Sequence, residues 1–150
     1  MEPQQLAQWM QKEHAQVQDV ANCLRERVCA IPRSCVAQWL DDLRDQFERF
    51  RAHLQKHMAM EEHEGYMTSV LERRPTLSRQ VDMLKHEHAE TTKLMTSIHH
   101  ELAAITEDDR LTMRDCCNRI RHLMDAVEEH EKEENLIVSY AFTCDIGTKD

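Results

Sequence analysis

Apolar residues recur at helical spacing along the first part of the chain, from about Gln4 to Val28. The apolar positions of this stretch are Leu6, Met10, Val17, Ala21, Leu24 and Val28. Intervals of three, four or seven residues place side chains on one face, because an α-helix has about 3.6 residues per turn. This stretch therefore predicts an amphipathic helix, and His14 falls inside its apolar stripe.

A second helical stretch follows Pro32, which breaks the first because proline has no backbone N–H to donate. Ser34 is the predicted N-cap, since its hydroxyl can accept from a free N–H of the first turn. The residues of the inward stripe are Val36, Leu40, Leu43, Phe47, Phe50, Leu54, His57 and Glu61. Gly65 is predicted to end or kink this helix, and residues 67–73 form a further short turn or helix before Pro75.

Two more helical stretches complete the pattern. The third starts near Ser78 and repeats Val81, Leu84, His88, Thr91, Met95, Ile98 and Leu102. Thr106 to Asp109 resembles a capping box that opens the last helix. The stripe of that helix is Met113, Cys117, Ile120, Met124, Val127, His130 or Glu131, Glu134, and Ile137 or Val138. Four helices with short connections predict an all-α, up-down-up-down four-helix bundle that occupies residues 1–150 as a single domain.

Composition supports this architecture and excludes one class of partner. The chain has 150 residues with only 2 Gly and 3 Pro, 31% charged residues and 5% aromatics. These values are typical of one domain built from long helices. The formal net charge of -9 repels a phosphate backbone, and no basic stripe with interleaved aromatics is present. We therefore expect no nucleic-acid partner.

The chain shows no sign of a membrane or secretory destination. No run of about 18 apolar residues exists, and Met1 to Gln5 lacks the basic start and apolar stretch of a signal peptide. We expect a cytoplasmic protein without a membrane partner. The six cysteines are Cys23, Cys29, Cys35, Cys116, Cys117 and Cys144. They lack C-x-x-C spacing, so we expect free thiols, buried or idle, rather than disulfides.

Two His-x-x-x-Glu motifs stand on predicted helical faces, His57 with Glu61 and His130 with Glu134. Residues four apart share a face, so each motif directs an imidazole and a carboxylate to the same place. Such groups are costly to bury in an apolar core unless cations neutralise them. One histidine from each remaining helix completes a predicted set of metal ligands: His14, His57, Glu61, His88, His130 and Glu134.

This donor set suits two metal ions in the bundle core. In the simplest assignment, one ion is held by His14 and His130, the other by His57 and His88, and both glutamates bridge the two ions. Nitrogen and oxygen donors without thiolate favour non-haem iron, with manganese or zinc as weaker alternatives. An open position on a redox metal would indicate O2, peroxide or NO as the ligand.

Several neighbouring side chains are left open by the sequence. His53 precedes the first motif by one turn and would supply either a fifth nitrogen or a hydrogen bond to a ligand. Glu62 and Glu133 adjoin the assigned glutamates and are expected to point outward or to hold a ligand in place. Tyr66 and Tyr140 are each either a hydrogen-bond donor to a bound oxygen species or a cap on the end of the bundle. The remaining histidines are predicted to lie on the surface: His63, His86, His99, His100 and His122.

These motifs resemble the hemerythrin family, in particular its HHE cation-binding domains, over nearly the whole chain. The segments that carry the resemblance are Glu13-His14, His53 to Glu62 with Gly65-Tyr66, Glu87-His88, His130 to Asn135, and the closing Asp145-Ile146-Gly147. The resemblance implies a four-helix bundle around an oxo- or hydroxo-bridged pair of non-haem iron ions.

The chain departs from the oxygen carriers of that family at two places. Those proteins have two histidines four residues apart on the third helix, whereas here Leu84 and Thr92 stand four residues from His88. They also end with His and Asp five apart, whereas the fifth residue after His130 is Asn135. The chain is more similar to a subgroup that includes iron-sensing and oxygen-sensing domains and iron–sulfur repair proteins.

The sequence thus favours a di-iron protein that binds or reacts with O2, peroxide or NO as a sensor or detoxifier. Two alternatives keep the same centre: iron handling or iron–sulfur repair, and reversible O2 binding or storage. A structural bundle with hydrogen-bonded core histidines is the remaining alternative. Enzymatic activity is left open, and either a monomer or a homodimer is expected.

Overall fold

The computed structural model describes residues 2–63 and 65–147. Its elements are α1 (Pro3–Val28), α2 (Val36–His63), α3 (Tyr66–Arg73), a short 3-10 turn (Pro75–Leu77), α4 (Ser78–Ala104) and α5 (Arg110–Gly147). Within these residues there is no strand, and no helix is apolar over the length that a bilayer crossing requires. The side chains of Cys144 and of the predicted Asp145-Ile146-Gly147 tail lie outside the described part. The predicted all-α fold is confirmed.

The four long helices form a closed ring of antiparallel neighbours. α1 packs against α2 and α5, and α4 packs against the same two helices. The short helix α3 contacts α2, α4 and α5. Short connections force each long helix to run against the one before it, which gives the predicted up-down-up-down bundle.

The apolar interior of the bundle is divided into two clusters. The larger cluster includes Val17, Leu24, Phe47, Phe50, Met95, Ile98, Ile120 and Val127. The smaller cluster includes Leu6, Met10, Tyr66, Val70, Val81, Leu84, Ile137 and Ala141. Along α1, α4 and α5 the predicted ligands fall between these two clusters, and on α2 they stand beside Met58 at the end of the larger cluster, so together they form one polar layer across the bundle.

The start of α2 differs from the prediction by one residue. The helix begins at Val36, and the carbonyl of Cys35 accepts the N–H of Trp39 at 3.1 Å. Ser34 is therefore not the N-cap. Cys35 has a φ of 56°, in the left-handed region, so the chain turns sharply just before the helix begins. Trp39 Nε1 also donates to the carbonyl of Arg27 at 3.1 Å and ties the start of α2 to the end of α1.

The start of α5 also differs from the prediction. The helix begins at Arg110, and Asp109 Oδ1 accepts the N–H of Thr112 at 3.3 Å. Thr106 instead forms a turn, in which its carbonyl accepts the N–H of Asp109 at 3.1 Å. Asp109 is the effective cap because its charged carboxylate is better placed at the positive end of the helix.

The break after α2 was predicted correctly at Gly65. A Cβ at this position would lie 2.7 Å from the Cα of Glu61 and 2.9 Å from the carbonyl oxygen of Met60. Both atoms belong to the backbone, so they cannot move aside as the end of a side chain can. The missing Cβ allows the chain to turn tightly over the last turn of α2, which carries Tyr66 into the bundle.

Candidate metal centre

The six predicted ligands converge in the middle of the bundle. α1 supplies His14, α2 supplies His57 and Glu61, α4 supplies His88, and α5 supplies His130 and Glu134. All are buried except His130, whose side chain remains 11% exposed. Each residue lies on the inward stripe of its helix, so the apolar periodicity itself brings the six side chains together.

These side chains form two overlapping clusters. The first cluster is His14, His57, Glu61 and Glu134, and the second cluster is Glu61, His88, His130 and Glu134. In each cluster, one nitrogen or carboxylate oxygen from every residue lies within 4.8 Å of the others. Both glutamates belong to both clusters, which is the arrangement that a pair of bridged ions requires.

The structure groups the histidines differently from the simplest assignment made from the sequence. The ring centroids of His14 and His57 are 5.4 Å apart, and those of His88 and His130 are 4.7 Å apart. The prediction had paired His14 with His130 and His57 with His88. In a ring of four helices, each histidine could share a cluster with the histidine of either neighbouring helix. The positions of the two glutamates determine which neighbour it is. Glu61 lies between α2 and α4, so the histidines on its two sides belong to different clusters.

Glu61 contacts one histidine of each cluster. Its Oε1 lies 3.2 Å from Nε2 of His57 and 3.3 Å from Nε2 of His88. His57 precedes it by one helical turn on α2, whereas His88 approaches from α4. Glu61 is therefore placed to bridge the two clusters.

Glu134 has the equivalent position between α5 and α1. Its Oε1 lies 3.3 Å from Nε2 of His14, and its Oε2 lies 3.5 Å from Nε2 of His130. Tyr66, carried in by the turn at Gly65, donates its hydroxyl to Oε2 of Glu134 at 2.6 Å. Burial and the negative charge of Glu134 raise the pKa of Tyr66, so this hydroxyl stays protonated as a donor.

A second set of carboxylates surrounds the histidines, and we call it the carboxylate ring: Glu13, Glu62, Glu87 and Glu131. Each of these carboxylates faces Nδ1 of a histidine on the next helix. The distances from carboxylate oxygen to Nδ1 are 3.4 Å for Glu13 to His57, 3.2 Å for Glu62 to His88, 2.8 Å for Glu87 to His130 and 3.7 Å for Glu131 to His14. A carboxylate at Nδ1 favours the proton on that nitrogen, so the lone pair of Nε2 points to the centre.

Sequence reasoning gave no role to Glu13 or Glu87 and named Glu131 only as an alternative to His130. A local signal was present. Each of these residues is adjacent in sequence to an inward-facing ligand, so its side chain lies about 100° further round the helix, towards a neighbour. Glu62 has the same relation to Glu61, and the structure places it against His88 as one of the two predicted alternatives.

Other open candidates do not reach the centre. His53 is partly exposed and belongs to neither cluster, although its Nε2 is buried without a hydrogen-bond partner. Glu133 is exposed, as expected. Tyr140 is 50% exposed and lies under the guanidinium of Arg74, 5.4 Å from the ring centroid, so only Tyr66 of the two tyrosines contacts a predicted ligand.

Burial and close contacts shift the pKa values of several groups in the centre. Burial and the nearby Glu134 raise the pKa of Glu61 well above its usual range. Burial opposes ionisation of Glu134 too, but its close contacts with Glu61, His130 and His14 outweigh that effect and lower the pKa of Glu134. Burial acts to lower the pKa of His130, yet Glu134 and Glu87 raise it to about 9. Without a cation, protons must balance the charge of this layer.

The unpaired atoms show that the residues fit metal ions. Nε2 of all four cluster histidines, both carboxylate oxygens of Glu61 and Oε1 of Glu134 are buried without a hydrogen-bond partner among the residues that the structure describes. Leaving so many buried polar atoms unpaired is costly. Imidazole nitrogens and carboxylate oxygens are the donors that iron, manganese and zinc accept, and two ions would satisfy every one of these atoms.

A small cavity adjoins both clusters. It measures about 10 Å³ and is bounded by Leu54, Met58, Thr91 and Val127 beside the ligands. This volume is close to the minimum for one water molecule. Two larger clefts approach the layer from outside, one of about 600 Å³ beside His14 and one of about 380 Å³ beside His88.

Comparison with known protein families gives one result of direct relevance. Residues 5–141 match the family model described as the hemerythrin HHE cation binding domain. The matched range contains every residue of both clusters and of the carboxylate ring. Comparisons with curated proteins and with solved structures give no match.

Proposed function

The chain belongs to the hemerythrin HHE cation-binding domain family and is a metal-binding helical protein, and we propose that it holds two non-haem iron ions and binds or reacts with O2, peroxide or NO as a sensor or detoxifier. One observation carries this proposal. Two clusters of nitrogen and oxygen donors share Glu61 and Glu134 in a buried layer, and most of these donor atoms have no hydrogen-bond partner in the described part of the chain.

In this proposal each ion has two histidines and shares both glutamates. His14 and His57 would hold one ion, His88 and His130 would hold the other, and Glu61 and Glu134 would be shared by both. Bound iron would supply a redox-active Lewis acid that can exchange an electron with a small oxidant. Each ion would have two nitrogens and two carboxylate oxygens, which leaves coordination positions for solvent and a ligand.

The surrounding residues support the centre in three ways. The carboxylate ring orients the imidazoles, and Tyr66 holds Glu134 between the two clusters. Leu54, Met58 and Val127 give the adjoining cavity an apolar wall that limits water. The small volume of this cavity favours a ligand as small as O2, peroxide or NO over a larger substrate.

Metal analysis with absorption spectroscopy tests the proposal. Protein from iron-supplied cells, purified without oxygen, should contain two iron ions per chain, and its spectrum should change on exposure to O2, hydrogen peroxide or NO. The double variant His57→Ala, His130→Ala should lose iron and the spectral change. The matched double variant His86→Ala, His122→Ala changes exposed histidines and should retain both. The proposal would be contradicted if protein from iron-supplied cells lacked stoichiometric iron. It would also be contradicted if the spectrum did not change with O2, hydrogen peroxide or NO.

Iron handling is a second candidate that a specific observation favours. His14 and His88 each border a cleft that opens to solvent, so a chelator or an acceptor protein has a short route to the ligands. Loss of iron to a weak chelator within minutes would favour delivery or iron–sulfur repair over reaction with an oxidant. A retained centre whose oxygenated spectrum reverts when O2 is removed would instead favour O2 storage.

A further inference from the structure

A cleft of about 360 Å³ lies at the opposite end of the larger apolar cluster from the polar layer. Its walls are the last residues of α1, the connection to α2 and the first turns of α5. Val28, at this cleft, is 14 residues from His14, which corresponds to roughly 20 Å along the helix. The cleft is therefore separate from the metal centre.

Three arginines of α5 line this cleft: Arg110, Arg114 and Arg121. They are separated by four and seven residues, so they stand within about 40° of one another on a single helical face. We call them the arginine row. Their guanidinium groups share one opening in a chain whose net charge is -9.

The charges of the arginine row are not neutralised by acidic side chains. Arg110 donates to the carbonyl of Pro32 at 3.1 Å. Arg121 donates to Asn118 Oδ1 at 2.7 Å, to the carbonyl of Cys29 at 3.3 Å and to that of Val28. All of these acceptors are uncharged, and no ion pair joins the row to a carboxylate among the residues that the structure describes.

Other arginines of the bundle are arranged differently. Arg25 pairs with Asp125 at 3.1 Å and with Glu128 at 3.4 Å, and Arg51 pairs with Glu48 at 3.0 Å. Arg25 and Arg51 therefore have carboxylate partners, whereas the row has none among the residues that the structure describes. Three positive side chains that line one cleft without a carboxylate partner among the described residues create a positive potential there, which favours an anion from solution.

The cleft also contains no anion of its own. Neither Asp nor Glu is among its lining residues. Cys117 does line it, but burial raises the pKa of this thiol to about 11 against the opposing effect of Arg121. The thiol is therefore uncharged at neutral pH, and the positive charge of the cleft is left for a ligand.

We propose that the arginine row binds the phosphate group of a small phosphorylated molecule. The planar guanidinium matches phosphate oxygens with two parallel N–H donors, and Arg114, exposed and without a partner among the described residues, has its donors available. The cleft is larger than a phosphate ion, and Val28, Ala30 and Ile31 offer an apolar wall to the rest of the molecule. The net charge of -9 disfavours a nucleic-acid polymer.

Calorimetric titration of the full chain tests this proposal. Inorganic phosphate and ribose 5-phosphate are the probes, with sodium chloride keeping ionic strength constant. Saturable binding at one site is expected, and Arg114→Gln should weaken it about tenfold, the size expected for a lost charge-assisted hydrogen bond. Arg49→Gln makes the same charge change on the exposed face of α2 and should leave the affinity unchanged.

Each outcome decides for or against the arginine row. Tighter binding of ribose 5-phosphate than of phosphate would support the apolar wall, and equal affinities would identify free phosphate as the ligand. Absence of saturable binding above the chloride background would overturn the proposal. Equal weakening by Arg114→Gln and Arg49→Gln would also overturn it, because diffuse attraction would then explain the affinity. Tighter binding of a DNA duplex than of either probe would replace it with a nucleic-acid surface.

Discussion

The four cluster histidines use their two ring nitrogens for different tasks. Nδ1 faces a carboxylate of the neighbouring helix, and Nε2 faces the shared glutamates. A carboxylate behind an imidazole makes the ring a stronger metal ligand and fixes its orientation. The residues of the carboxylate ring should therefore influence metal affinity although they do not face the centre.

Glu87 offers the sharpest test of this effect, because its 2.8 Å contact with His130 is the shortest of the four. Glu87→Gln keeps a hydrogen-bond acceptor but removes the negative charge. We expect iron affinity to fall about 10-fold to 100-fold, measured by competition with a chelator of known affinity. Glu107→Gln, in the exposed connection before α5, is the control. Similar affinities for both variants would show that Glu87 does not support the ligand.

The five cysteines whose side chains the structure describes divide into two classes by burial. Cys23, Cys29 and Cys35 are exposed free thiols, whereas Cys116 and Cys117 are buried. Burial raises the pKa of Cys116 to about 12 and that of Cys117 to about 11, so almost no thiolate forms at pH 8. We expect iodoacetamide at pH 8 to alkylate the three exposed thiols and to reach the buried pair only in urea. Peptide mapping by mass spectrometry measures this, and rapid native labelling of Cys117 would contradict the burial.

At the scale of helices, periodicity predicted much more than local capping rules did. The apolar stripe identified every long helix and placed His14 and His88 inward, because a side chain's phase on a helix follows from counting residues. The caps at Ser34 and Thr106 were wrong because several polar residues stand near each helix start. Choosing between them depends on backbone turns such as the one at Cys35. The grouping of the histidines depends on which helices pack side by side, and the residues around each histidine in the sequence do not reveal this.

Gly65 links the end of α2 to the position of Tyr66. Gly65→Ala would place a methyl group 2.7 Å from the Cα of Glu61, so the turn must open. We expect a loss of about 1–3 kcal/mol in the free energy of unfolding, the usual effect of overpacking, and a melting temperature lower by about 2–10 °C. Thermal unfolding followed by circular dichroism measures it, with exposed Thr76→Ala as control. An unchanged melting temperature would show that the turn tolerates a Cβ.

For the whole molecule, the polar layer lies between two apolar clusters and interrupts the core. Buried imidazoles and carboxylates weaken such an interior unless they are paired. Metal ions bound only by the folded bundle would stabilise it by mass action. Stability of the fold and occupancy of the proposed centre should therefore change together.

Removal of metal should lower the melting temperature of the iron-loaded protein. A free metal concentration of 100 times the dissociation constant stabilises the folded state by about 2.7 kcal/mol. This corresponds to a rise in melting temperature of about 5–10 °C for a chain of this size. Thermal unfolding with and without a strong chelator measures the difference. His57→Ala with His130→Ala should abolish it, whereas His86→Ala with His122→Ala should preserve it. A chelator effect of equal size in both double variants would contradict metal binding at the centre.

The contacts of the carboxylate ring also depend on the direction in which the chain winds around the bundle axis. Glu13 and Glu87 precede inward residues on two parallel helices, whereas Glu62 and Glu131 follow inward residues on the two helices that run the other way. Viewed along the bundle axis, a step to the next residue turns one way on a helix that points towards the viewer and the other way on a helix that points away. All four carboxylates are therefore displaced from the inward stripe in the same rotational direction. A bundle of the same helices with mirror-image connectivity would turn Glu13 towards α5 instead of α2. The observed partners of these four residues therefore identify the handedness of the bundle, because each carboxylate stands one residue before or after an inward-facing position.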